Sequence, residues 1–203
     1  MSRTVKAPEV RRTEILDAAE MLFRARGYAT TTVDQIVREA RVAKGTFYYY
    51  FRTKEDVLGA LATRLVATMA AHLGRIVQCA DLDAMAKAQA MLAEMRRLAE
   101  HSAGVVDDLH RPENRELHER NNVETVRVLG PLFAEVVDLG NRQGIFSVAD
   151  PLSTVQFLMA GSLFLFGTGI FNWTTQEHAA REKAMGIVIA RALGMDAHAD
   201  GQL

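Results

Sequence analysis

Apolar positions recur at helical spacing along nearly the whole chain. In RRTEILDAAEMLFRAR (residues 11–26), Ile15, Ala19, Leu22 and Phe23 form one stripe with charged residues opposite. Gly27 then supplies the left-handed residue that ends such a helix. In ATTTVDQIVREA (29–40), Val33, Ile36, Val37 and Ala40 repeat in the same way behind Thr31 or Thr32 as N-cap. The pattern breaks at RVAKG (41–45) and resumes through TFYYYF (46–51). TKEDVLGALATRLVATMAAHLGRIV (53–77) predicts a long helix capped by Thr53, with Asp56 three positions on. Helix, helix, tight turn and short helix in this order is the helix-turn-helix arrangement.

The helical pattern continues. Asp81 or Asp83 caps a helix through LDAMAKAQAMLAEMRRLAEHS (82–102), with Leu82, Met85, Met91, Leu92, Met95 and Leu98 available for burial. A less regular stretch, AGVVDDLHRPEN (103–114), leads into a helix over about 113–142, where Pro131 predicts a kink or a break. RQGIFSVADP (142–151) is a loop with Gly144 just past a helix end and Asp150–Pro151 opening the next helix. Helices over about 151–171 and 175–193 complete the pattern. Nothing reads as a strand, a repeat or a low-complexity tract. The expectation is therefore all-α, with a domain boundary inside the long fourth helix, near residue 55, where the composition shifts.

Composition narrows this further. Hydrophobic residues make up 49% and charged residues 24%, the balance of a folded globular chain rather than a disordered one. The single cysteine, Cys79, cannot form an intramolecular disulfide, which points to a reducing cytoplasm. Its neighbours Val77, Gln78 and Ala80 offer no base for a nucleophile, so an inert thiol is expected. The segment MSRTVKAPEVRRTEIL has no apolar h-region, so no signal peptide is expected. Residues 151–176 carry no charge, but Ser153, Thr154, Gln156, Ser162, Thr168 and Asn172 interrupt them; a buried helix or a subunit interface fits better than a membrane span. The net charge of −1 hides an asymmetry: residues 1–54 carry +5 and the remainder −6. A basic N-terminal piece suits a polyanionic partner.

The chemistry concentrates in VAKGTFYYYFRTK (42–54). A helix-turn-helix lays its second helix in the major groove of DNA. That helix begins here near Ala43–Lys44, where the Lys44 ammonium reaches a guanine edge or a phosphate. Gly45 lets the backbone approach closely, and Thr46 offers a methyl for thymine and a hydroxyl for a base or a phosphate. Phe47 and Phe51 share a face by their spacing of four and turn into the core with Ile36 and Leu22. Tyr48, Tyr49 and Tyr50 fan over the other faces, each with a hydroxyl that can donate to a phosphate. A protein partner for this aromatic face is the alternative, against which Lys44, Thr46, Arg52 and Lys54 argue.

These residues carry a resemblance. GYATTTVDQIVREA, AKGTFYYYF and TKEDVL stand in an order and spacing that resemble the tetracycline-repressor (TetR) family of bacterial regulators, over the first sixty or so residues. The resemblance implies an all-α homodimeric repressor: a three-helix helix-turn-helix DNA-binding domain over 1–55 joined by a long helix to a helical effector-binding and dimerisation domain over 56–203. It implies a double-stranded DNA operator, a small-molecule effector, a cytoplasmic location, no membrane, no cofactor and no enzymatic activity. An activator of the same family is a further alternative. By position, Thr32, Lys44, Gly45, Thr46, Tyr48, Tyr49 and Lys54 match places where family members touch DNA, and Tyr50 stands where histidine is frequent. Two departures are visible. Arg41 replaces the usual glycine of the turn, so a non-glycine residue is expected in a left-handed conformation, and Ala43 replaces the usual serine or threonine N-cap. Arg41 or Arg52 is a compensating DNA contact.

Beyond residue 60 the resemblance is architectural. It places the dimer interface on the last two helices, with Phe157, Gly161, Phe164, Leu165, Thr168, Ile187, Ile189 and Leu193 as candidates; Gly161, Ser162, Gly167 and Gly169 permit close helix approach. Candidates for an effector pocket are Leu65, Met69, Met91, Met95, Phe133, Phe157, Phe164 and Trp173, with His101 and His110 as polar handles; a Met-rich lining suits a flexible, largely apolar ligand. Plain core packing is the competing role for each of the apolar ones. His101, Asp107, His110, His118 and Glu119 include metal-ligand types, but their spacing matches no zinc motif, and no metal is expected.

Overall fold

The computed structural model describes residues 8–167 and 171–195. Among them are nine α-helices, one 3-10 turn and no strand: α1 Pro8–Arg26, α2 Val33–Glu39, α3 Lys44–Tyr50, α4 Lys54–Val77, α5 Ala84–His101, α6 Ala103–Leu109, the turn Pro112–Asn114, α7 Arg115–Arg142, α8 Pro151–Gly167 and α9 Thr175–Ala192. Thr168 and Gly169, named above, lie outside the described residues.

The helix ends follow the local chemistry. Gly27 sits at φ +82° past α1. Thr32, rather than Thr31, caps α2: its hydroxyl accepts from the Gln35 N–H while the Gln35 side chain accepts from the Thr32 N–H. Thr31 turns inward, its hydroxyl donating to the Gly27 carbonyl at 2.8 Å. At α4, Asp56 accepts from the Arg52 and Thr53 N–H groups, and the Thr53 hydroxyl accepts from the Asp56 N–H. Asp83 caps α5 and Asp150 caps α8.

One expectation differs from what is observed: the stretch 103–114 is regular and forms α6 and the 3-10 turn. Of the two outcomes expected at Pro131, the break is absent, since the residue lies inside α7.

The chain divides into two compact units, and the division falls inside helices. One unit holds the described residues up to Leu65 together with Ala99–His118; the other holds Val66–Leu98 and the described residues from Glu119 onward. The boundary thus falls ten residues later in α4 than expected, and the first unit recruits a second stretch of chain. The cause is packing. Val105 and Leu109 of α6 join Phe23, Tyr28, Phe47 and Leu58 in one buried cluster. Gly104 lets α6 approach α1 so closely that a Cβ there would stand 3.2 Å from the Arg24 Cα. Asp108, buried, accepts from the Tyr28 N–H at 3.0 Å and pairs with Arg111 at 2.8 Å. Burial raises its pKa, and these two partners oppose the rise.

In the second unit, Asn141 fixes the loop before α8 by donating to and accepting from the backbone of Val148. Gly140 lies against the Phe146 ring, leaving no room for a side chain. α4 is long and apolar enough to cross a membrane by length and composition, yet Val57, Leu58, Leu61, Val66, Met69 and Leu73 are buried inside the protein.

Candidate nucleic-acid interface

α3 sits with one face in the core and one in solvent. Phe47 is fully buried and Phe51 nearly so, their ring centroids 5.9 Å apart, and Ile36 and Leu22 join them. The opposite face carries Tyr48, 49% exposed, and Tyr49, 78% exposed. Tyr50 differs from the expected fan: it is half-buried against the core, its ring edge-on to Tyr49 at 4.9 Å. The reason is helical geometry, since residue 50 follows Phe47 by three and shares its face.

The N-terminal turn of α3 presents Lys44, Gly45 and Thr46. Lys44 and Gly45 are exposed and Thr46 is half-buried. Among the described residues, a Cβ at Gly45 would meet nothing within 4 Å, so no packing among them requires a glycine there. Ala43 stands as N-cap without a side-chain bond, as the sequence implies. Lys44 is not free: its Nζ lies 2.7 Å from Asp34 Oδ1 of α2, and that hydrogen bond raises its pKa. The sequence reading missed Asp34. Its signal was an acid two residues past the cap of α2, but only the packing of α2 on α3 brings it to Lys44.

Lys54 is placed differently from the other candidates. Its ammonium donates to the carbonyls of Tyr28 at 2.6 Å and Thr31 at 2.9 Å and lies 4.1 Å from the Tyr28 ring centroid. Desolvation lowers its pKa. Lys54 thus clamps the loop that leads into Thr32. Tyr28 is itself buried, its hydroxyl beside the Glu55 carboxylate without a hydrogen bond of normal geometry; burial first, then that carboxylate, raises its pKa.

Arg41, exposed in the turn, adopts φ +54°, as expected for a residue replacing glycine. A left-handed non-glycine residue costs about 1–2 kcal/mol, and glycine returns roughly half of that through its looser unfolded chain. Arg41→Gly should therefore raise stability by about 0.5–1 kcal/mol, measured as a higher urea midpoint at unchanged slope. Arg12 and Arg52 border a recess with Tyr48, Tyr49, Tyr50 and Phe51, the Arg12 guanidinium 5.3 Å from the Phe51 ring centroid.

The pocket candidates divide between the two units. Leu65, His101 and His110 belong to the first unit, and Met69, Met91, Met95, Phe133, Phe157, Phe164 and Trp173 to the second. Met91 is fully buried and Met69 nearly so, whereas Phe157 and Phe164 face solvent at 81% and 54% exposure. Leu65, Met95 and Phe133 are half-buried. His110 is exposed and packs edge-on against the buried His118 at 4.8 Å. Trp173 stacks on Phe171 and lies under the Arg181 guanidinium. Of the interface candidates, Ile187 is 50% exposed, while Gly161, Leu165, Ile189 and Leu193 are half-buried. Phe157, Gly161 and Phe164 follow one another at four and three residues along α8, and no side chain of α9 is buried. The Ser162 hydroxyl donates to the Leu158 carbonyl of its own helix.

Comparison with known proteins places both parts of the chain. Residues 15–61 match the family model described as bacterial regulatory proteins, tetR family, and residues 98–186 match the tetracyclin repressor-like C-terminal domain. The HTH-type transcriptional regulator HbdR of Aromatoleum sp. (strain CIB) is 51% identical over 53 residues, 26% of this chain and 23% of that protein, so the match spans less than a quarter of that relative. Among solved structures, Thermus thermophilus FadR, described as a TetR family repressor in complex with lauroyl-CoA, is similar with a TM-score of 0.64 at 23% identity, covering 94% of this chain and 100% of that one. RolR in complex with resorcinol is similar with a TM-score of 0.63 at 18% identity, covering 94% and 90%. At these identities the structural likeness concerns the fold.

Proposed function

The chain belongs to the TetR family of bacterial regulatory proteins, and from that premise we propose that it is a cytoplasmic repressor that binds a pseudo-palindromic operator as a homodimer. A small, largely apolar effector releases it. The observation that carries the reading is the division of α3: Phe47 and Phe51 anchor one face, while Lys44, Gly45, Tyr48 and Tyr49 stand exposed on the other. That helix enters the major groove; Lys44 and Thr46 address base edges, and the tyrosine hydroxyls donate to phosphates. Thr32 and Arg41 touch the backbone on either side of α2. Lys54 acts from behind as a positioning residue, and Tyr50 supports Tyr49. Among the described residues nothing requires glycine at 45, which supports a close approach from outside.

The dimer reading rests on α8 and α9. Together they leave Phe157, Phe164, Ile187 and Val188 at least half exposed, on a helix pair whose first member carries no charge. A second copy related by a two-fold axis covers such a face with itself. The effector reading rests on Met69, Met91 and Met95 of the second unit, whose flexible thioether side chains suit an adaptable apolar lining, and release requires only that the effector prefer the DNA-incompetent state.

Lys44→Ala should weaken operator binding about tenfold, as loss of one base or phosphate contact does. Tyr49→Phe should weaken it less, since only the hydroxyl is removed. Fluorescence anisotropy on a labelled operator duplex checks both, with melting temperatures to confirm folding. Unchanged affinity in both variants would sink the assignment of α3.

A further inference from the structure

The surface proposed to meet DNA contains an acid. Asp34 lies in the first turn of α2 and holds the Lys44 ammonium in the first turn of α3, Oδ1 to Nζ 2.7 Å, with both side chains more than half exposed. Thr32 stands two residues before Asp34 and Thr46 two residues after Lys44, so proposed contacts bracket the pair. The capping box of α2 is made by Thr32 and Gln35, not by this carboxylate, which is turned to Lys44 instead. An acid at this place repels a polyanion and occupies a cation that would otherwise attract it.

We propose that Asp34 is a specificity-determining residue, retaining Lys44 in the free protein and on unrelated DNA and yielding it only to the operator. This rests on the reading of α3 as the groove helix. The argument is one of exchange. A phosphate on a random duplex offers Lys44 a point charge in a wet surface, the same kind of partner that Asp34 already provides, so leaving Asp34 gains little. An operator held in register by the other contacts offers directional acceptors at a fixed place, such as the O6 and N7 edge of guanine. Exchange is then favourable. Lys44 accordingly adds to operator affinity and adds nothing to non-specific affinity, which widens the ratio that decides occupancy among competing sites.

The test compares the full-length wild type, Asp34→Asn, Lys44→Ala and the double variant. The probes are a duplex that the wild type selects from a randomised pool and a shuffled duplex of the same composition. Asp34→Asn should raise affinity for the shuffled duplex roughly three- to fivefold, more than for the selected one. On the shuffled duplex its log–log salt slope should steepen by about one, because a freed lysine now releases a counterion. Lys44→Ala should weaken the selected duplex much more than the shuffled one when Asp34 is present, the shuffled one losing only what the bared Asp34 charge repels, and it should weaken both duplexes when introduced on top of Asp34→Asn. Equal melting temperatures separate this from a loss of helix α2. If Asp34→Asn lifts both duplexes equally, or Lys44→Ala weakens the shuffled duplex as much as the selected one with Asp34 in place, the proposal is overturned. If the wild type enriches no sequence at all, the reading of α3 falls, and this inference with it.

Discussion

Phe157→Arg should abolish the homodimer proposed above, leaving a monomer at concentrations where the wild type associates. The side chain is 81% exposed in the single chain, so the protomer's own core loses nothing and its circular dichroism should hold, while its melting temperature falls only by what association contributes. In a two-fold interface the same residue is buried from both sides. Each copy would then bring an unpaired guanidinium into an apolar seam, at about 3–5 kcal/mol apiece. Acting twice, this shifts the dimer constant by roughly four orders of magnitude or more. Analytical ultracentrifugation reads the change directly. Operator binding should fall with it, because each half-site is then held by one reader alone. A variant that sediments as the wild type would move the interface away from α8.

Phe47→Ala should remove the keystone of the reading unit. Phe47 has no solvent exposure and packs on Phe51 and Ile36 inside one buried cluster. Truncating a buried phenylalanine costs about 3–5 kcal/mol, against a total stability of order 5–15 kcal/mol for a domain. The melting transition should drop by roughly 15 °C or more and operator binding should vanish with it. Tyr48→Ala, the next residue on the same helix, is the contrast: half exposed, it should change stability by under about 0.5 kcal/mol while still weakening DNA binding. Equal losses of stability in the two variants would mean that the faces of α3 are misassigned.

The sequence revealed what is local. Periodicity in 11–26 and 29–40, the Thr53–Asp56 pair, and Gly27 and Gly144 with positive φ all follow from neighbours a few residues apart, and each is found where expected. Even the strain at Arg41 was visible as a departure from a pattern. What remained hidden depends on distance across the fold. The meeting of Asp34 and Lys44 needs the packing of α2 on α3. The turn of Lys54 onto the Tyr28 and Thr31 carbonyls needs the return of α4 beneath the loop. Residues 103–114, which carry Asp107, Asp108, Arg111 and Glu113, read as a less regular stretch. Asp108 instead spans eighty residues to the Tyr28 N–H, and Val105 and Leu109 enter the core.

That last arrangement bears on how the protein is made. The reading unit is assembled from two stretches separated by a segment that belongs elsewhere, and its second stretch ends at His118 of a 203-residue chain. A ribosome must therefore deliver more than half of the chain before Val105, Asp108 and Leu109 can dock. Until then the groove of α1 that receives them stays open, with Phe23 and Tyr28 uncovered. Long-range closure of this kind slows folding and leaves apolar surface exposed to aggregation and to chaperones. A nascent chain stalled before residue 99 would hold every residue of the reading helix and still lack part of the core beneath it.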